Sequence, residues 1–189
     1  FRPGSGRPDG RPRRYPQGFS LAFHRHILDH MFDTVGLAGK LAQVHALLAD
    51  VAGSITPDTS GPAAAEALRE WLAAREQGEL VGCLLTERVD RSGAFAADGA
   101  VSMQSWLRST ARCKPGTASG WVQTGRALVD LLPATRAAWA RGELTFEHVG
   151  VIRRAVDGLD PAQAAYLDKA LAHAAADASP PFLADIAAA

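Results

Sequence analysis

The chain has 189 residues, of which 47% are hydrophobic, with 20 basic and 20 acidic side chains. Two cysteines, Cys83 and Cys113, stand far apart outside any CxxC spacing, which excludes a disulfide framework or a zinc signature and makes a reducing cytoplasm the expected compartment. No run approaches the roughly 18 apolar residues of a membrane helix, so no membrane contact is expected.

Formal net charge is zero but segregated: residues 1–30 carry +4, 31–100 carry −5, 101–154 carry +5 and 155–189 carry −4. A basic block between acidic ones points to a local anionic partner that the overall balance hides.

The opening FRPGSGRPDGRPRRYPQG is rich in Pro, Gly and Arg and has little to bury. Residues 1–30 are therefore read as a disordered basic leader. A nucleic-acid-binding arm is one interpretation. The start at Phe1 and the Met31 downstream favour a leader outside the translated domain. FSLAF, next to this basic stretch, is too short for a secretory apolar core.

A helical domain is expected over 35–189. Leu37, Leu41, Val44, Leu48 and Val51 recur at intervals of four and three, predicting an amphipathic helix. GSITPDTSGP ends it as a loop. After Pro62 a long helix is predicted from about Ala63 to Val89, with a stripe of Leu68, Trp71, Leu72 and Arg75 continued by Leu80, Leu84 and Leu85; Gly78 is a candidate bend. DRSGAFAADGA reads as a loop. Ser102 caps a short helix from Met103 to about Ala111. After RCKPG comes a helix with Ala118, Trp121, Val122, Gly125, Leu128, Val129 and Leu132 on one face. Pro133 opens another at its first position, and Gly142 ends it. Thr145 caps a helix with Val149, Ile152 and Val156. Asp160-Pro161 opens an Ala-rich helix to about Asp177. SPPFLADIAAA starts a last one, and the domain is expected to be truncated at that C-terminal end. No stretch alternates like a strand, so the expected fold is all-α.

Chemistry has few candidates. His148 stands at the start of its helix beside Glu147, but adjacent helical residues point apart and do not form an acid–base pair. No Ser or Cys nucleophile falls in reach by sequence, and the residue reads as packed against backbone. His24, His26 and His30 offer metal-ligand spacing in HRHILDH without the Glu of HExxH, so a surface cluster is the plainer reading and a metal-dependent hydrolase a minor one. There is no GxGxxG after a strand and no GxxxxGKS. No catalytic residue, metal or cofactor is expected.

The best constellation is SMQSWLRSTA, RCKP and GTASGWVQTGRALVDL, a helix, a turn and a helix. Trp106, Leu107, Trp121 and Val122 are placed to pack the two helices together. Arg108, Arg112 and Lys114 surround the turn, where phosphate contacts belong in a helix-turn-helix. Ser119, Gln123 and Arg126 face outward on the second helix, suited to base edges or phosphates. The plain alternative is a helical hairpin with a solvated basic face.

The stretch from Val101 to Ile152 resembles the helical domain of unknown function that precedes HNH nuclease modules in many actinobacterial proteins, the thirteen-E-twelve repeat family. The matching features are the small-residue-Trp-Leu helix, the Ala118 helix, the Leu132-Pro133 pair, and Gly142, Leu144, Thr145 and His148 in GELTFEH. The resemblance covers residues 35–189 and is best over 100–152. More loosely, the stretch is similar to the helix-turn-helix domain of partition proteins, although Ala111 stands where those have a turn glycine and the helix before Leu132 is longer.

The resemblance implies an accessory domain that binds or positions duplex DNA for an HNH module lying C-terminal in the parent protein, and a structural His148. The alternative is a helical interaction or dimerisation module, a homo-oligomer, whose Leu37–Val51 stripe meets a partner chain. A DNA binder keeps Arg108, Arg112, Lys114 and Arg126 on one exposed face; an interaction module leaves an apolar patch uncovered.

Overall fold

The computed structural model describes the backbone of residues 21–188 and the side chains from residue 36 onward. Among the described residues every regular element is helical, as expected: α1 (Leu21–Ser54), α2 (Gly61–Ser92), a 3₁₀ segment (Ala94–Asp98), α3 (Met103–Thr110), α4 (Pro115–Asp130), α5 (Pro133–Ala140), α6 (Phe146–Ala155), α7 (Pro161–Ala175) and α8 (Pro180–Ala188). The chain divides into two compact units, Phe1–Thr59 and Ser60–Ala189.

Two sequence expectations shift. The helix read from Leu37 extends back to Leu21, while residues 1–20 and the side chains of residues 21–35 lie outside the described residues. The loop read over DRSGAFAADGA is shorter, because α2 continues to Ser92 and a 3₁₀ turn follows between Gly93 and Gly99, both left-handed.

In the first unit, α1 shows Leu37, Leu41, Val44, Leu48 and Val51 exposed, between 40% and 54%. In the second, α2 runs unbroken through Gly78, but its residues 61–75 are all exposed, Leu68, Trp71 and Leu72 included. Burial begins further along, with Leu80 and Cys83, on a helix that packs against α4, α5 and α6.

Two clusters hold the second unit together. Leu128, Leu132, Trp139, Leu144, Val149, Ile152, Leu171 and Leu183 join Leu80 and Cys83 in the larger. In the smaller, Met103, Leu107, Ala118 and Val122 are buried, with Trp106 and Trp121 packed against them. The pairing of Trp106, Leu107, Trp121 and Val122 predicted from spacing is thus formed. Burial of side chains of this size stabilises by about 1.5–3 kcal/mol each.

The α2–α4 crossing depends on glycine. A Cβ on Gly125 would be driven into the Cys83 carbonyl oxygen and to 3.1 Å from Glu87 Cβ. One on Gly82 would meet the Trp121 ring at 2.8 Å. Each helix therefore offers a glycine where the other presents bulk or backbone. Ion pairs flank the crossing: Arg126–Asp90 at 2.6 Å, and Arg91 with both Glu87 and Asp130.

The start of α5 is capped from a distance. Leu132, its N-cap residue, has no side-chain acceptor, and the Asp168 carboxylate on α7 takes that role. It accepts from the N–H groups of Ala134 at 2.8 Å and Thr135 at 3.1 Å, and from the Thr135 hydroxyl at 2.5 Å. Three donors satisfy a carboxylate that is 1% exposed.

Candidate DNA-contacting surface and the His148 capping site

Helix α3 starts in a capping box, in which Ser102 accepts from Ser105 N–H while Ser105 Oγ accepts from Ser102 N–H. It ends at Ala111, and the next residue, Arg112, takes the left-handed conformation at φ 49°. Ala111 itself stays right-handed, and the reversal falls on Arg112. A left-handed non-glycine residue costs on the order of 1 kcal/mol.

Lys114 and Pro115 then start α4. Pro115 is pre-set for the first helical position, and the Lys114 N-cap offers no side-chain acceptor, so the N–H groups of Gly116 and Thr117 have no cap. That uncapped end carries the positive pole of a 16-residue helix, a place that favours anions.

The six residues singled out for DNA contact fall into three groups. Arg108, Arg112 and Lys114 are exposed around the turn, and no described carboxylate forms an ion pair with them. Ser119 and Gln123 share a face of α4 and bond to each other, Gln123 Nε2 donating to Ser119 Oγ at 3.1 Å. Arg126, one turn further, is exposed but committed to Asp90, to which its Nε donates at 2.7 Å. Sequence reasoning did not foresee that pair, because its partner lies 36 residues away on another helix. It also missed the backbone donors of Gly116 and Thr117, although Lys114-Pro115 is their signature.

The second site surrounds the start of α6. Thr145 caps the helix, and His148, its third residue, completes the box. Thr145 N–H donates to His148 Nδ1 at 3.1 Å, while Nε2 lies 2.8 Å from the Ala178 carbonyl oxygen. An N–H can only donate and a carbonyl can only accept, so Nδ1 is bare and Nε2 carries the proton. His148 is 8% exposed, and both of its ring nitrogens are spent on backbone. The reading of His148 as structural holds. From α2, Glu76 adds an acceptor for Phe146 N–H at 2.7 Å and binds Arg75 at 2.8 Å.

Beside it lies a pocket of about 420 Å³ lined by Arg75, Glu76, Glu79, Glu147 and His148 among others. Its carboxylates face an arginine, not a metal cage: no group of three or more metal-ligating side chains gathers among the described residues. The His24, His26 and His30 side chains lie outside the described residues. Nearby, burial and the charge of Glu79 push the Cys83 thiol up to about 12, which keeps it unreactive at neutral pH. No helix among the described residues is long and apolar enough to cross a membrane.

Fold and surface define an all-α domain built around a helix-turn-helix-like unit, with the buried His148 spent on capping. The model of the family described as "Domain of unknown function (DUF222)" matches residues 65–185, and the chain belongs to that family. The helical domain of unknown function expected from the resemblance is therefore present, beginning inside α2. No curated protein and no solved structure matches the chain.

Proposed function

We propose that this chain is a DNA-contacting accessory domain of an HNH-endonuclease-like cytoplasmic protein of the actinobacterial type. In this reading it holds duplex DNA while chemistry is done by a separate HNH module. One observation carries the reading: the α3–α4 turn surrounds an uncapped helix start with three exposed cations, Arg108, Arg112 and Lys114. Backbone N–H groups at a helix start and flexible cations are the usual phosphate partners of helix-turn-helix units. Gln123, exposed along the same helix, has the amide that reads adenine. Arg126, held by Asp90, supports the docking of α4 on α2 instead of a phosphate contact.

Fluorescence anisotropy with a labelled duplex across a salt series tests this. Each neutralised phosphate contributes about −0.9 to the slope of log K against log salt, so three contacts give roughly −3. The double variant R112Q/K114Q is expected to flatten the slope by about 2 with the fold intact, since both residues are exposed. Gln123→Ala is expected to weaken preferred sequences more than random ones. Binding by the double variant equal to that of the parent at every salt concentration would remove the DNA reading. A second reading, a helical interaction module, is favoured by one observation, the exposed apolar stripe of α1.

A further inference from the structure

We propose that α1 is an oligomerisation element, in which copies of this helix from different chains pack together through Leu37, Leu41, Val44, Leu48 and Val51. The inference rests on the interaction-module reading and names its partner; it does not depend on DNA binding.

The spacing of these residues is four, three, four, three. That is the strict 3.5-residue repeat of a helix whose apolar seam faces another helix, and it is narrower than the stripe of a helix laid on a globular core. Leu41 and Leu48 take a positions, Leu37, Val44 and Val51 take d positions, and Ile55, just past the helix, continues the a series. Leu47 widens the seam at a g position and is 65% exposed.

Exposure makes the seam costly in a lone chain. The five stripe residues and Leu47 leave on the order of 500 Å² of apolar surface in water per copy, so two such faces remove about 1,000 Å², the threshold for a specific interface. The helix itself needs support. Gly36, Gly39 and Gly53 lie inside α1 with nothing within 4 Å of where a Cβ would stand. Each costs about 1 kcal/mol against alanine, and helices draw most of their stability from packing of an apolar face. A partner of the same register supplies that packing along the whole seam. Leucine at a with β-branched residues at d favours more than two strands in parallel bundles.

Sedimentation equilibrium of the 189-residue chain over a wide concentration range tests the proposal. The monomer mass is 19.9 kDa, and the expected mass rises with concentration to about two to four times that value. The variant L41E/L48E puts charge in the seam and is expected to sediment at the monomer mass throughout. The variant A42E/A49E adds the same charge outside the seam and is expected to associate as the parent does. Trp139, buried in the second unit, reports that all three chains are folded there. A parent chain that stays monomeric would overturn the proposal, whether α1 amides exchange freely or are protected by the chain's own residues. So would an L41E/L48E variant that associates normally, or an A42E/A49E variant that does not.

Discussion

His148 shows how a residue type that suggests catalysis can be assigned from its partners. Thr145 N–H and the Ala178 carbonyl allow one neutral tautomer, and no ring nitrogen is left to take a proton from a substrate. The imidazole ties the start of α6 to the link between α7 and α8. Its worth is therefore structural. His148→Ala is expected to cost about 2–3 kcal/mol, because it removes two bonds and leaves the part-buried Ala178 carbonyl unmet. His148→Gln, which keeps the capping box to Thr145, is expected to cost about 1 kcal/mol. Urea unfolding of both variants measures this, and an alanine variant as stable as the parent would sink the assignment. GELTFEH already carried half of the answer, since Thr145 three residues before His148 is a cap at legible spacing. The Ala178 contact was not legible, because it joins residues 30 apart through folding.

At the scale of elements, the helix starts follow from local chemistry. Ser102, Thr145 and Asp160 cap their own helices through bonds to residues two or three ahead, so their roles could be read directly. The start of α5 behaves otherwise. Pro133 announces it, but its cap is Asp168 from α7, which no local pattern could name. The α2–α4 crossing is similar. Gly125 was legible as a member of an apolar face, yet its necessity comes from the Cys83 carbonyl lying where a side chain would go. A backbone oxygen cannot move aside as a flexible side chain does, so Gly125→Ala is expected to destabilise by about 1–3 kcal/mol despite the better helix propensity of alanine. Thermal unfolding checks this. An alanine variant with a raised midpoint would mean that the helices separate there without cost.

At the scale of the whole molecule, the buried residues among those described all lie between Leu80 and Leu183, within the second unit. A chain beginning at Ser60 is therefore expected to fold alone and to unfold within about 0.5 kcal/mol of the parent, the scatter of changes away from a core. Urea unfolding followed by tryptophan fluorescence is the measurement; a Ser60–Ala189 chain without a cooperative transition would show that the first unit completes the core. Combined with the sedimentation test, this separates the two proposed roles: the second unit for folding and the candidate DNA surface, α1 for association.

The sequence by itself determined the class of fold, because apolar spacing, proline starts and cap residues act within one or two turns of chain. It also determined the helix-turn-helix-like unit and the seam of α1, whose period is written in consecutive residues. Only the tertiary structure decided which polar residues are free. Arg126 and Gln123 look alike in sequence, two exposed polar positions on one helix, yet Asp90 engages the first across 36 residues while the second bonds only its neighbour Ser119. The left-handed turn at Arg112, the distant cap from Asp168 and the second bond of His148 were settled in the same way. Each depends on groups brought together by burial of the core, and side-chain pairing across helices follows packing, not spacing along the chain.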